Sequence, residues 1–297
     1  MRTALIASLA VAATLAIAAT ATGRSTAPGA TVASAGIPGC EKGKLGLLDS
    51  SGATLTIGAD NPAYPPWYGG AEKTKPWKVS DPYSGKGYED AVAYRIAALL
   101  GFAKADVKWA VVPFNNSYRP GKKPFDLYLT QVSYKPTRAK GADFSKSYYY
   151  VSQTLVALKG KPIASAKSIA ALKDYKLGAQ IGTTSADYIA NVIKPKASRT
   201  YDTNDLAVQA LKNGLIDGIV VDLPTAFYVT GVQIPTAKVV GRLKTVGAPE
   251  YFGAVLPKGS KLTSCVNKAL DRLWANGTIK KLQQTWLPST NSAPVLK

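Results

Sequence analysis

Short apolar runs alternate along the chain with segments whose apolar positions recur every three to four residues. The apolar runs lie at 55–57, 107–112, 125–132, 148–158, 177–180, 218–221 and 252–256. Their length and their β-branched or aromatic residues predict buried strands. The periodic segments predict helices; one of them, 89–100, has apolar residues at Ala91, Val92, Ile96 and Leu99. Such alternation indicates an α/β protein with mixed, mainly parallel sheets.

The N-terminal segment differs in composition from the rest of the chain. Arg2 precedes an uncharged, Ala-rich run from Ala4 to Ala19, and small residues suited to cleavage continue to Ala21. This pattern is typical of a secretory signal peptide over 1–21; the alternative is a membrane anchor, although the run is short for a bilayer span. Residues 22–39 are mostly Ala, Thr, Ser, Gly and Pro, which predicts a flexible leader. We therefore expect an exported protein, periplasmic or extracellular and associated with the cell envelope.

Two cysteines are present, Cys40 at the end of the leader and Cys265 in a predicted C-terminal helix. An even number of cysteines in an exported protein favours a disulfide. A bond between these two would join the start of the folded region to its end. The alternative is a lipid attached to Cys40, but the preceding Ile37-Pro38-Gly39 is a poor match to a lipidation sequence.

Basic residues outnumber acidic ones by 37 to 18, so the net charge is +19, or +17 without Arg2 and Arg24 of the signal peptide and leader. Nucleic-acid-binding proteins are often this basic, but export and the dispersed lysines argue against nucleic acid as a partner. The charge suits anionic polymers or lipids of the envelope. The chain has no histidine, which excludes Ser-His or Cys-His catalysis and His-containing metal sites. We predict no metal and no cofactor.

Polar residues suited to a small zwitterion follow several predicted strands. Ligands of open α/β sheets bind at the carboxyl ends of the strands. Asp60, the 130–138 loop, the 182–184 segment and Asp222 all lie at such ends. A guanidinium can bind both oxygens of a carboxylate, which makes Arg138 a candidate for the carboxylate of the ligand.

Other residues at these strand ends could complete the site. Thr183 and Thr184 begin a predicted helix, whose free N–H groups favour an anion. Asp222 could accept hydrogen bonds from an ammonium group, and Ser133 could add a hydroxyl. Aromatic residues of the neighbouring loops could pack on the ligand side chain; they are Tyr64, Trp67 and Phe114. Each residue also has an ordinary alternative: Arg138 as a solvated surface residue, Asp222 as a helix cap.

Taken together, the order of these motifs resembles family 3 of the bacterial extracellular solute-binding proteins, over about Leu55 to Leu287. The matching segments are 125–145, with Pro136-Thr137-Arg138 and Asp143-Phe144-Ser145, then 177–188, 210–222, 257–260 and 277–286. The resemblance implies a type 2 periplasmic-binding-protein fold, in which two lobes are joined by two crossovers and close by a hinge. We expect the first lobe to contain 40–149 and 250–297, and the second lobe 150–249.

The resemblance also implies roles for individual residues. Arg138 would bind the carboxylate of an amino acid, with Ser133 and Thr183 as supporting donors, and Asp222 would hold the ammonium group. Asp60 and Tyr64 correspond to the loop after the first strand that lines the site, although Asn61-Pro62-Ala63 is one residue longer than usual. Gln131 stands where the family usually has glycine, so its side chain would compete for space near the ligand.

The implied function is capture of a small, polar amino acid between two lobes and its delivery to the permease of an ABC importer in the membrane. We expect a monomer without enzymatic activity. One alternative is a periplasmic dehydratase on the same fold, which would need a general acid or base in the cleft. Another is an envelope-binding protein whose interactions depend on its positive charge.

Overall fold

The computed structural model describes residues 36–71 and 74–297, which form one compact unit. The predicted signal peptide, 1–21, and most of the predicted leader, 22–39, lie outside the described residues. Within the described part of the chain, no helix is both long and apolar enough to cross a membrane.

Strands and helices alternate for most of the described chain. Its eleven strands are β1 Leu55–Ala59, β2 Val107–Val111, β3 Leu127–Tyr128, β4 Asp143–Tyr150, β5 Gln153–Leu158, β6 Lys176–Gln180, β7 Ala197–Tyr201, β8 Gly218–Asp222, β9 Ala237–Leu243, β10 Tyr251–Leu256 and β11 Val295–Leu296. The seven α-helices of the same residues are α1 Tyr88–Leu99, α2 Phe114–Ser117, α3 Thr184–Tyr188, α4 Asn204–Lys212, α5 Leu223–Tyr228, α6 Leu262–Ala275 and α7 Thr278–Trp286. Helices α3 and α5 each continue into a π-helical turn, Ile189–Ile193 and Val229–Gln233.

The strands form two mixed sheets. The first has the order β2-β1-β3-β10-β4, with β1 parallel to β2 and β3, and β10 antiparallel to β3 and β4. The second has the order β11-β9-β5-β8-β6-β7, in which β6 is parallel to β7 and β8 while β5 is antiparallel to β8 and β9. The predicted α/β class with mixed sheets is therefore confirmed.

Two crossovers between the sheets lie side by side. The chain leaves the first sheet after β4 and enters the second at β5, and it returns between β9 and β10. The Val151 N–H of the first crossover donates to the Glu250 carbonyl of the second, at 2.9 Å. This bond places Glu250 between the two sheets.

The C-terminus differs from the predicted lobe limits. Residues 250–297 were expected in the first lobe, but β11 pairs in parallel with β9 of the second sheet. Leu296 is buried there, and the Arg242 N–H donates to the Pro294 carbonyl at 2.7 Å. A two-residue strand after a proline has no periodic pattern, which explains why the sequence does not reveal it. The other predicted lobe limits stay a prediction.

Helix α6 shows how the apolar pattern builds the core of the first lobe. Its buried residues recur every three to four positions, at Leu262, Cys265, Val266, Ala269, Leu270 and Leu273. This spacing puts them on one helix face, which packs in the core around the first sheet. The same face carries Cys265.

Cys265 forms a disulfide with Cys40, with their Cα atoms 5.7 Å apart. The predicted pairing is thus present, and a sulfur in a disulfide cannot also carry a lipid. The end of the predicted flexible leader is packed rather than free: Ile37 is buried, and its N–H donates to the Leu99 carbonyl at 3.3 Å. One apolar residue among small polar ones gives little sequence signal of such packing.

Candidate functional site

A cavity of about 130 Å³ lies between the two sheets. The first sheet and its loops contribute Asp60, Asn61, Pro62, Tyr64, Tyr68, Phe114, Thr130, Gln131 and Phe252. The second sheet and its loops contribute Gln153, Gln180, Thr183, Thr184, Ser185, Thr203, Asn204, Asp205, Val221 and Asp222. Asp60, Gln180 and Asp222 stand at the carboxyl ends of β1, β6 and β8, where parallel strands present ligand-binding residues.

Seven of the ten residues predicted around the ligand line this cavity. They are Asp60, Tyr64, Phe114, Gln131, Thr183, Thr184 and Asp222. Arg138 and Ser133 are buried beside it, whereas Trp67 is buried in the core of the first lobe and does not line the cavity. The structure therefore brings the predicted residues together, and their roles toward a ligand stay a prediction.

Arg138 connects loops of the two sheets. Its guanidinium donates to the Ser133 carbonyl at 2.5 Å and to the Gly182 carbonyl at 2.7 Å, and it lies 4.6 Å from the centre of the Tyr118 ring. Burial lowers the pKa of this side chain from its ordinary value. In the described part of the chain, Arg138 has no ion pair with a carboxylate. Because a guanidinium has five N–H groups, donors remain for an anion.

The hydroxyls of Ser133 and Thr184 both contact Glu250, which is not among the residues predicted from the sequence to bind the ligand. Ser133 Oγ donates to Glu250 Oε1 at 2.5 Å, and Thr184 Oγ1 donates to the same oxygen at 2.6 Å. Gln153 Nε2 lies 3.2 and 3.1 Å from the two carboxylate oxygens. Thus a carboxylate of the protein holds hydroxyls that were predicted to contact the carboxylate of a ligand.

Thr183 caps helix α3. Its Oγ1 accepts from the Ala186 N–H at 3.1 Å and donates to the Gln180 carbonyl at 2.7 Å. Both interactions are local, because a threonine before a helix satisfies a free N–H of the first turn. The side chain of Thr183 is therefore positioned by the loop after β6 and the start of α3.

Asp222 is both a helix cap and a cavity residue. It accepts from the Thr225 N–H at 3.0 Å and from Thr225 Oγ1 at 2.9 Å, while Trp67 Nε1 of the first lobe donates to that same hydroxyl at 2.9 Å. Burial raises the pKa of Asp222 to about 6. The capping role and the cavity position are compatible, since a carboxylate accepts several hydrogen bonds.

Gln131 has the backbone conformation that glycine favours, with φ of 44°. This explains why a glycine would be usual at this position. Its N–H donates to Glu89 Oε1 at 2.7 Å, its side-chain amide donates to Glu89 Oε2, and Tyr148 Oη donates to Oε1 at 2.5 Å. Glu89 is fully buried, and this burial raises its pKa to about 7. The sequence does not reveal this support, because Glu89 lies in the first turn of α1, 42 positions before Gln131.

Asp60 and Asp205 add two carboxylates to the cavity lining, one from each sheet. Tyr64 Oη donates to Asp205 Oδ2 at 2.5 Å, and Asp60 Oδ1 accepts from the Asn61 N–H at 2.8 Å. Burial raises the pKa of Asp60. Asp205, absent from the predicted site, stands in the first turn of α4, where an acidic residue is also explained by helix capping alone.

The cavity is anionic. Three carboxylates line it, those of Asp60, Asp205 and Asp222, and two more lie next to it, those of Glu89 and Glu250. Across residues 36–71 and 74–297, none of the five forms an ion pair with lysine or arginine. These described residues also contain no group of acidic or cysteine side chains arranged to hold a metal ion. The arrangement suits an organic cation that donates hydrogen bonds to several carboxylates.

The sequence of the chain is similar to those of known solute-binding proteins. The profile of bacterial extracellular solute-binding proteins, family 3, matches residues 55–289. ABC transporter arginine-binding protein 1 of Escherichia coli (strain K12) is 30% identical, over 56% of this chain and 68% of its own. The arginine-binding extracellular protein ArtP of Bacillus subtilis (strain 168) is 27% identical, over 71% of this chain and 82% of its own.

Solved structures of amino-acid-binding proteins are also similar to this chain. An ancestral arginine-binding protein bound to arginine has a TM-score of 0.63 and 28% identity, covering 80% of this chain and 99% of its own. An ancestral amino-acid-binding protein described as a precursor of cyclohexadienyl dehydratase has a TM-score of 0.62 and 26% identity, covering 80% of this chain and 96% of its own. The relatives are named for binding rather than for catalysis, which confirms the non-enzymatic prediction over the dehydratase alternative. The chain belongs to family 3 of the bacterial extracellular solute-binding proteins.

Proposed function

We propose that this protein captures an L-amino acid with a cationic side chain, arginine above all, and delivers it to an ABC importer. The observation that carries the proposal is the cavity with three lining carboxylates that no lysine or arginine of the described residues neutralises. All three carboxylates are half-buried, and a charge withdrawn from water without a counter-charge is costly, so a cationic ligand would supply the missing counter-charge. The names of the similar arginine-binding proteins support the same ligand.

Each end of such a ligand has partners in this arrangement. Asp222 accepts from the ammonium group, while Asp60 and Asp205 accept from the cationic side chain. Arg138, with the hydroxyls and N–H groups around Thr183, binds the ligand carboxylate. Because Arg138 belongs to a loop of the first sheet and Asp222 to the second, a zwitterion that contacts both favours the closed arrangement of the lobes.

The test compares L-arginine with L-citrulline, which has nearly the same shape but no charge on its side chain. Calorimetry on the wild-type protein is expected to give at least tenfold tighter binding of arginine. Asp205→Asn is expected to lower the ratio of the citrulline Kd to the arginine Kd severalfold, because it removes one carboxylate from the cavity. Asp202→Asn, an exposed aspartate three positions earlier, is the matched control and should leave the ratio unchanged. Equal affinities of the wild-type protein for both ligands would contradict a cationic ligand.

We further propose that the mature protein is exported, acts as a monomer outside the cytoplasmic membrane and docks on a membrane permease. Support comes from the family membership, from the signal-peptide pattern of residues 1–21 and from the disulfide, which fits an oxidising compartment. Mass spectrometry of the secreted protein should give a chain that lacks residues 1–21. Light scattering should give the mass of one chain, with and without arginine.

A further inference from the structure

Glu250 links the two lobes in the way expected of a ligand carboxylate. It lies in the second crossover, directly before β10. One of its oxygens accepts from Ser133 Oγ of the first lobe at 2.5 Å and from Thr184 Oγ1 of the second at 2.6 Å. Gln153 Nε2, at the start of β5, donates to the same carboxylate at 3.2 and 3.1 Å.

These contacts use the hydroxyl protons of Ser133 and Thr184, which a ligand carboxylate would otherwise receive in addition to the N–H groups of Arg138. A hydroxyl has one proton to donate and otherwise only accepts. While Ser133 and Thr184 donate to Glu250, they offer the cavity lone pairs, which repel an incoming carboxylate. Two carboxylates that share a site also disfavour each other when both are ionised. Hydrogen bonds to an ionised acceptor are about twice as strong as neutral ones, so Glu250 does not release these donors freely.

We infer that Glu250 is an internal competitor for the α-carboxylate of the ligand, and that it sets how strongly the protein binds this group. The inference rests on the proposed function, because it concerns the carboxylate of an amino acid in the same site. The ligand gains the Ser133 and Thr184 protons only when the Glu250 carboxylate gives them up. The interactions of the ligand ammonium and side chain do not depend on this exchange.

The test uses Glu250→Gln with two probes, L-arginine and its decarboxylated form, agmatine. The glutamine keeps the length of the side chain but removes its charge, so the hydroxyls become free to donate to a ligand. Calorimetry should show arginine binding at least tenfold more tightly than in the wild-type protein. Agmatine, which has no carboxylate, should stay within threefold of its wild-type Kd. A merely structural role of Glu250 would change both affinities alike.

Controls separate this inference from the proposed function. Glu41→Gln changes an exposed glutamate paired with Lys44 and should alter neither affinity. Glu250→Asp, which shortens the side chain while keeping its charge, gives a second variant if the glutamine variant does not fold, and arginine should then bind about threefold more tightly. If the wild-type protein binds no amino acid, the proposed function fails and the inference falls with it. If the wild-type protein binds arginine and the Glu250 variants leave its Kd unchanged or weaken it, or strengthen both probes equally, the inference alone is overturned.

Discussion

Arg138, in the loop that follows β3, donates from its guanidinium to the carbonyl oxygen of Gly182 in the loop after β6, at a distance of 2.7 Å. The contact connects the first lobe to the second directly beside the cavity. Arg138 thus combines a structural link between lobes with the one chemical group most suited to a ligand carboxylate. Its substitution distinguishes these two roles.

Arg138→Ala should weaken arginine binding about 100-fold, because truncation of a buried charged partner costs a few kcal/mol. Arg138→Lys should restore little of the affinity for arginine, since an ammonium cannot reproduce the planar fork of the guanidinium. Calorimetry gives the affinities, and circular dichroism checks that both variants are folded. Arg95→Ala, on the exposed face of α1, is the control. Near wild-type affinity of folded Arg138→Ala would show that the carboxylate binds elsewhere.

Arginine binding should weaken as the pH falls below about 6. Burial raises the pKa of Asp222 to about 6, so its carboxylate is mostly ionised at pH 7 and mostly protonated at pH 5. A protonated carboxyl loses its attraction for the ammonium group, and the Kd should rise about tenfold between pH 7 and pH 5. The measurement is calorimetry across this range.

Asp222→Asn provides the comparison for the pH dependence. This variant should bind arginine weakly at every pH, and its Kd should change much less between pH 7 and pH 5. Some pH dependence should remain, because Glu89, whose pKa burial raises to about 7, still titrates nearby. A wild-type Kd that stays constant from pH 5 to pH 7 would contradict the assignment of Asp222 to the ammonium group.

Removal of the disulfide should lower stability without changing affinity. The bond closes a loop with a sequence separation of 225 residues, and loss of such a bond costs about 2–5 kcal/mol in the free energy of unfolding. Cys40→Ser combined with Cys265→Ser should therefore unfold at lower urea concentration. Arginine affinity at 25 °C should stay the same, because neither cysteine lines the cavity. An unchanged urea midpoint would show that the packing around Ile37 and α6 stabilises the fold without the disulfide.

Local apolar patterns predicted the helices better than the strand limits. The predicted C-terminal helix that contains Cys265 is α6, Leu262–Ala275, because its apolar face has the helical period. The apolar run 148–158 was predicted as one strand, but it contains the end of β4, a crossover at 151–152 and β5. Ser152, Gln153 and Thr154 interrupt this run, but three polar residues do not by themselves show that the chain changes sheets there.

Site residues that directly follow a strand could be predicted from the sequence. Site residues that reach the cavity from segments far apart in the sequence could not. Asp60 and Asp222 follow recognisable strands, and parallel strands bring their carboxyl ends to one edge. Glu250 lies in a loop without a local pattern, and its partners Ser133 and Thr184 are 117 and 66 positions away in the sequence. Only the folded arrangement of the crossovers shows that it reaches the hydroxyls.

The pairing of β11 with β9 gives the hinge a third connection. Helix α7 packs with the first lobe, whereas β11 belongs to the second sheet, so residues 287–294 lead from one lobe to the other. Eight residues span at most about 27 Å when fully extended. As long as β11 stays paired, this C-terminal tether limits how far the lobes can separate and therefore how widely the entrance for the amino acid can open.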